Sequence, residues 1–121
     1  MRVLITATLL AAFVMPAFAE TPSGVWLREN GKSKVRVAPC GDSVCGVISW
    51  LADASGPSKV GQRVFYNMKE SGPNSWSGNA FNPEDGKTYN GKMTLSGNTL
   101  TTSGCVLGGL ICKSVTWSRS N

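Results

Sequence analysis

Turn signals interrupt this chain so often that no long helix fits between them. Beyond residue 20 they fall at Asn30-Gly31, Gly41-Asp42-Ser43, the Gly/Pro/Ser stretch Asp53 to Lys59, Ser71-Gly72-Pro73-Asn74, Asn82-Pro83-Glu84-Asp85-Gly86, Gly97-Asn98 and Gly108-Gly109. Asn-Gly and Gly-Gly reach the left-handed backbone of two-residue hairpins at little steric cost, so they join neighbouring strands directly. Between the turns apolar and polar residues alternate at period two, the signature of a half-buried strand. Strands are predicted over Gly24 to Glu29, Lys34 to Ala38, Val44 to Leu51, Gln62 to Met68, Trp76 to Phe81, Lys87 to Leu95, Thr99 to Cys105 and Ile111 to Arg119. A run of about eight strands in sequence makes a meander, and a sheet that wide hides its edges by closing on itself. The expected fold is all-β: a single small antiparallel meander barrel of about eight strands.

The alternation also assigns an inside. Tyr89, Gly91, Met93 and Leu95 share one face, against Thr88, Asn90, Lys92 and Thr94 on the other. By the same rule Val35 and Val37, Ile48 and Trp50, Trp76, Gly78 and Ala80, and Val115 and Trp117 point inward, with Trp26 beside them. Lys34 and Arg36 fall on the solvated face. The parity places all four cysteines on the outer face.

Before the first strand, Met1 to Ala19 has a basic Arg2, an apolar run from Val3 to Val14 and an Ala17-Phe18-Ala19 cleavage pattern. That is a signal peptide by design, too short for a bilayer span. The expected division is a leader over residues 1–19 and a barrel domain over residues 20–121, delivered to the periplasm or beyond, with no transmembrane segment after cleavage.

Export makes the cysteines readable as bridges. Four cysteines allow three pairings. A turn on Gly108-Gly109 sets Cys105 against Cys112, and a turn on Asp42-Ser43 sets Cys40 against Cys45, so local geometry selects those two disulfides. The spacings are wrong for a metal or redox motif, and the chain has no histidine. Imidazole zinc sites and histidine-dependent nucleophiles are thereby excluded, and no metal or cofactor is expected.

The net charge of +5 comes from scattered lysines and arginines. They form no continuous stripe with stacking platforms, so nucleic acid is not an expected partner.

Gly24-Val25-Trp26 on the first strand and Thr116-Trp117-Ser118-Arg119 on the last resemble the ends of calycin barrels, the lipocalins among them. There an early tryptophan packs under an arginine of the final strand, which implies a structural closure by Trp26 and Arg119. Three longer blocks, GVWLRENGKSKVRVAPCGDSVCGVISWL, NAFNPEDGKTYNGKMTL and GCVLGGLICKSVTWSR, resemble the bacterial domain of unknown function 2147 family. The resemblance implies a small exported calycin-like barrel without an established activity. It departs in the middle, where longer members carry an insert and this chain has only Gly61 to Phe65.

Two functions remain open on sequence. An aromatic-lined barrel could hold a small apolar or amphipathic ligand against Trp50, Trp76 and Met93, with Tyr66 and Tyr89 as polar handles. Alternatively the indoles fill the interior, and the loops Asp53 to Lys59 and Gly72 to Ser75 contact an envelope protein or inhibit an exported enzyme. The polar stretch Asn82 to Tyr89 reads as a hairpin, since Glu84 and Asp85 diverge on an extended backbone. Lys87 and Tyr89 are the nearest thing to an acid–base pair, and no enzyme is expected.

Overall fold

The computed structural model describes residues 21–120; the expected leader, Met1 to Ala19, lies outside them. Eight strands follow one another: β1 Gly24–Arg28, β2 Ser33–Cys40, β3 Ser43–Leu51, β4 Arg63–Gly72, β5 Ser75–Asn82, β6 Lys87–Ser96, β7 Thr99–Val106 and β8 Ile111–Ser120. Each pairs antiparallel with the next, and β8 returns to pair with β1, so the sheet is a closed barrel. The closing seam sets Trp26 opposite Arg119 and Arg28 opposite Trp117. It is extended by the Glu29 backbone N–H donating to the Thr116 carbonyl at 2.9 Å.

A row of glycines on the far side from the seam lets so short a sheet curl closed. Gly78, Gly91 and Gly104 lie in one cross-strand row over β5, β6 and β7. A Cβ on Gly91 would sit 2.9 Å from the Asn79 carbonyl carbon, and one on Gly104 would sit 3.3 Å from the Tyr89 Cβ. Side chains in that row would hold neighbouring strands apart, and their absence lets the wall fold sharply.

One end of the barrel is filled. Trp26, Val37, Met68, Trp76, Met93, Leu95 and Leu100 are buried in the core. The Trp26 indole N–H donates to the Pro22 carbonyl at 2.8 Å, which draws the N-terminal segment across the base. Arg119 caps the same end. Its guanidinium carbon lies 4.3 Å from the centre of the Trp26 ring. Its Nη1 donates to the Ser23 carbonyl at 3.0 Å and its Nε to Asn98 Oδ1 at 3.2 Å.

Both local disulfides are present, Cys40–Cys45 and Cys105–Cys112. The first forms in a different register from the one expected. Gly41 takes φ +68°, which moves the turn to Gly41-Asp42. Cys40 then faces Ser43 and Cys45 faces Ala38, so the bridge runs diagonally. Cys105 faces Cys112 directly. Cys105 keeps its outer-face position opposite Asn90, yet it is only 1% exposed. It is flanked by Asn90 on β6 and bonded to Cys112 on β8, which leaves it no solvent.

Two aromatic residues are not where the expected pocket needs them, and bulges are the reason. On β3, Lys34 pairs with Trp50 and the next residue, Val35, pairs with Ile48, so Ser49 is an extra residue. That insertion flips the strand end: Leu51 packs on the core and Trp50 turns outward, 42% exposed, with the Lys34 ammonium 5.8 Å from its ring centre. On β4 the register shifts on both sides of Tyr66, at Val64 and at Asn67, the latter with φ 54°. Val64, Phe65 and Met68 are buried, whereas Tyr66 lies outside under Arg63, 4.8 Å from the ring centre.

Candidate functional site

The other end of the barrel is hollow. A cavity of about 540 Å³ opens at the mouth framed by the β1–β2, β3–β4, β5–β6 and β7–β8 connections. Its floor is made by Phe65 and Trp117, packed edge to face with ring centres 6.4 Å apart. Its walls are Val35, Ile48, Val64, Ala80 and Val115, an aliphatic lining from five strands. The buried polar side chain within it, Thr102, accepts a hydrogen bond from the Trp117 indole N–H at 2.9 Å. That bond satisfies the indole N–H and fixes the ring in place.

Charge is confined to the rim. Arg28 on β1 and Lys113 on β8 line the mouth on one side, and Glu84 and Asp85 of the β5–β6 turn line it on the other. Neither cation takes part in an ion pair among the described residues. Asp85 is engaged locally: Tyr89 donates its hydroxyl to Asp85 Oδ2, and the Lys87 backbone N–H donates to Oδ1 at 2.9 Å. The Tyr89 hydrogen bond, helped by the Lys87 backbone, holds the Asp85 carboxyl below its ordinary value. The same hydrogen bond holds the Tyr89 hydroxyl above its own.

Of the five residues expected to meet a ligand, the cavity collects one, Tyr89, at its rim. Trp76 and Met93 are inward as expected but lie in the filled half, below the floor. Trp50 and Tyr66 are on the outer face for the reasons given above. Lys87 offers its backbone to Asp85, and its side chain is exposed. Alternation missed Phe65 because the β4 bulges conceal it. It also gave no reason to single out Thr102, Arg28 or Lys113. Side-chain size along the inward register would have found the void: β7 runs Leu100, Thr102, Gly104, from bulky to bare toward the mouth.

The interaction loops expected from sequence are polar and self-satisfied. In the first, Ser55 donates its backbone N–H to Asp53 at 3.0 Å and Lys59 Nζ donates to the Gly56 carbonyl at 3.0 Å. Exposed apolar side chains gather instead on the β7–β8 turn, at Val106, Leu107, Leu110 and Ile111. No helix of the described residues is long and apolar enough to cross a membrane.

A closed eight-strand meander, with a first-strand tryptophan under a last-strand arginine and one open mouth, defines a lipocalin-like barrel. Among solved structures the chain is similar to "Protein HP1028 from the human pathogen Helicobacter pylori belongs to the lipocalin family". The two share 21% identity and a TM-score of 0.64 over 82% of each chain, a likeness of fold. The chain belongs to the family described as uncharacterized protein conserved in bacteria (DUF2147), which matches it over residues 24–119. Comparison with curated proteins finds no match.

Proposed function

We propose that this protein binds a small apolar or amphipathic ligand in the open half of its barrel, as a carrier or binding protein of the bacterial envelope. The observation that carries the reading is the cavity of about 540 Å³, walled by aliphatic side chains and floored by two aromatic rings. Ligand sites of small molecules run from ~300 to ~1,000 Å³ with such linings and few polar groups. The rim supplies those groups: Arg28 and Lys113 for an acidic head, Tyr89 and Asp85 for a hydroxyl or amine. Two disulfides and the Ala17-Phe18-Ala19 pattern support an oxidising, extracytoplasmic address. A filled barrel acting only through its loops is the less supported reading, because an interior built for packing alone leaves no reason for the void.

Trp117 is the reporter for the test, since it forms the cavity floor. In a Trp50→Phe background, which removes the exposed indole, medium-chain fatty acids and alcohols are titrated while tryptophan emission is read. A saturable shift is expected for at least one of them. Ala80→Phe, which fills the void above the floor, should abolish it while the barrel stays folded by circular dichroism. Absence of a saturable response across the panel, or a response untouched by Ala80→Phe, refutes the reading.

A further inference from the structure

The tip of the β7–β8 hairpin is an apolar knob that the fold holds in solvent. Val106, Leu107, Leu110 and Ile111 are 36%, 68%, 85% and 58% exposed, four of the six exposed large hydrophobic residues among those described. Solubility favours none of them there. Leu107 moreover sits at φ 55°, a left-handed backbone that disfavours a branched side chain and that asparagine or glycine fills more easily. Gly108 and Gly109 continue at φ 67° and 93°, and the Leu110 N–H closes the turn on the Leu107 carbonyl at 3.3 Å. Directly beneath, Cys105–Cys112 staples the two strands. The knob is thus preformed, and docking it orders little that was not ordered already.

We infer that this knob inserts into the interface of an anionic lipid bilayer and sets the mouth of the barrel against it. Shape argues for lipid over protein. Four side chains on a convex turn fall well short of the ~800 Å² per partner that a stable protein complex buries. A fluid headgroup layer, by contrast, accepts a narrow wedge. Charge argues for an anionic surface. Lys113 stands immediately behind the knob, Arg28 lines the same rim, and Lys32 and Lys87 project from neighbouring turns at that end. Four acids share that end, Glu29, Asp53, Glu84 and Asp85, and with Lys34, Lys59 and Arg63 added the bases there outnumber them seven to four. Continuity with the site adds a third argument: Val106 and Ile111 belong to both the knob and the cavity mouth. Docking itself needs no ligand; only its use, passage of a ligand between bilayer and barrel, rests on the binding function proposed above.

The test uses the oxidised protein with vesicles of phosphatidylethanolamine and phosphatidylglycerol, beside vesicles of phosphatidylcholine alone, in a co-sedimentation assay. The parent should bind the anionic vesicles and release them as salt rises. The double variant Leu107→Asn, Leu110→Ser should lose binding by about tenfold or more, because its burial in lipid is removed. Both positions are exposed and asparagine suits the backbone at 107, so its melting temperature should not fall. Lys113→Ala should weaken binding to anionic vesicles only. The fatty-acid titration on Trp117 should be unchanged in the double variant, which separates failure of docking from failure of ligand binding. The inference is overturned if the parent ignores both vesicles or the double variant binds like the parent. It is overturned equally if the parent sediments as a dimer that the double variant dissociates, which would make the knob a self-association surface.

Discussion

Arg119→Ala is the perturbation that tests whether the sealed end organises the barrel. The side chain makes three contacts that alanine cannot: Nη1 to the Ser23 carbonyl at 3.0 Å, Nε to Asn98 Oδ1 at 3.2 Å, and the stack on Trp26 at 4.3 Å. Hydrogen bonds from a charged group are worth about 1.5–3 kcal/mol each when buried. The one to Asn98 is exposed and sits at or below the low end. The cation–π contact adds about 0.5–2 kcal/mol. These terms overlap, because a guanidinium held by one contact is already placed for the others. A total loss of about 2–4 kcal/mol is expected, which for a domain of this size is a fall of about 10–20 °C in melting temperature. Trp26 is 0% exposed, and its ring face would be wetted once the cap is gone. Arg119→Lys should recover part of the loss, since it restores the cation and one donor but not the planar fork. Thermal unfolding by far-ultraviolet dichroism and urea unfolding by tryptophan emission should agree, under non-reducing conditions. A change below about 0.5 kcal/mol, the scatter of ordinary surface substitutions, would refute the view that this arginine closes the barrel.

The two disulfides close loops of similar length, 5 and 7 residues apart in sequence, so chain entropy assigns each about 2 kcal/mol. Cys105→Ser with Cys112→Ser should nevertheless cost more than Cys40→Ser with Cys45→Ser, because Cys105 is buried and a serine hydroxyl there lacks solvent; equal losses in urea unfolding would contradict this. The Asp85–Tyr89 bond makes the β5–β6 turn sensitive to pH at both extremes. Asp85 has a depressed value in the fold, so its contribution is present above the ordinary carboxylate value of 3.8 and is lost as pH falls through the depressed one. Tyr89 is raised, so its contribution is present below the ordinary value of 10.0 and is lost as pH climbs through the raised one. In Tyr89→Phe the Asp85 carboxyl should titrate nearer its ordinary value, read by carbon NMR; an unchanged titration would mean that the hydroxyl does not hold it.

The strand order, the barrel and both bridges were legible because they rest on local rules: turn chemistry, period-two alternation and the proximity a tight hairpin enforces. What local rules cannot supply is a bulge. Nothing in Val47-Ile48-Ser49-Trp50-Leu51 marks Ser49 as the residue left unpaired, and with it goes the side of Trp50. The displacement of Tyr66 by Phe65 has the same origin, in a β4 strand that must bend twice to stay within the wall. Such insertions answer to the curvature of the whole sheet, which depends on strands far away in sequence. The Gly41-Asp42 turn was missed for a lesser reason: two adjacent pairs both suit a hairpin, and only the left-handed φ of Gly41 decides between them.

The hollow follows from the same inward positions that build the core. Going from the sealed end to the mouth, β5 carries Trp76, Gly78 and Ala80, while β7 carries Leu100, Thr102 and Gly104. On both strands the side chains shrink just above the level of the Phe65 and Trp117 floor. Larger residues at Ala80 or Thr102 would cover those rings and add apolar burial worth about 0.8 kcal/mol per methylene group. A barrel shaped only by stability would carry them. This one keeps small side chains over two aromatic rings and invests its bulk, its arginine cap and its Pro22 tie at the opposite end. The division lets the sealed half hold the structure while the open half remains free to accept an occupant, which is how a chain this short can be stable and hollow at once.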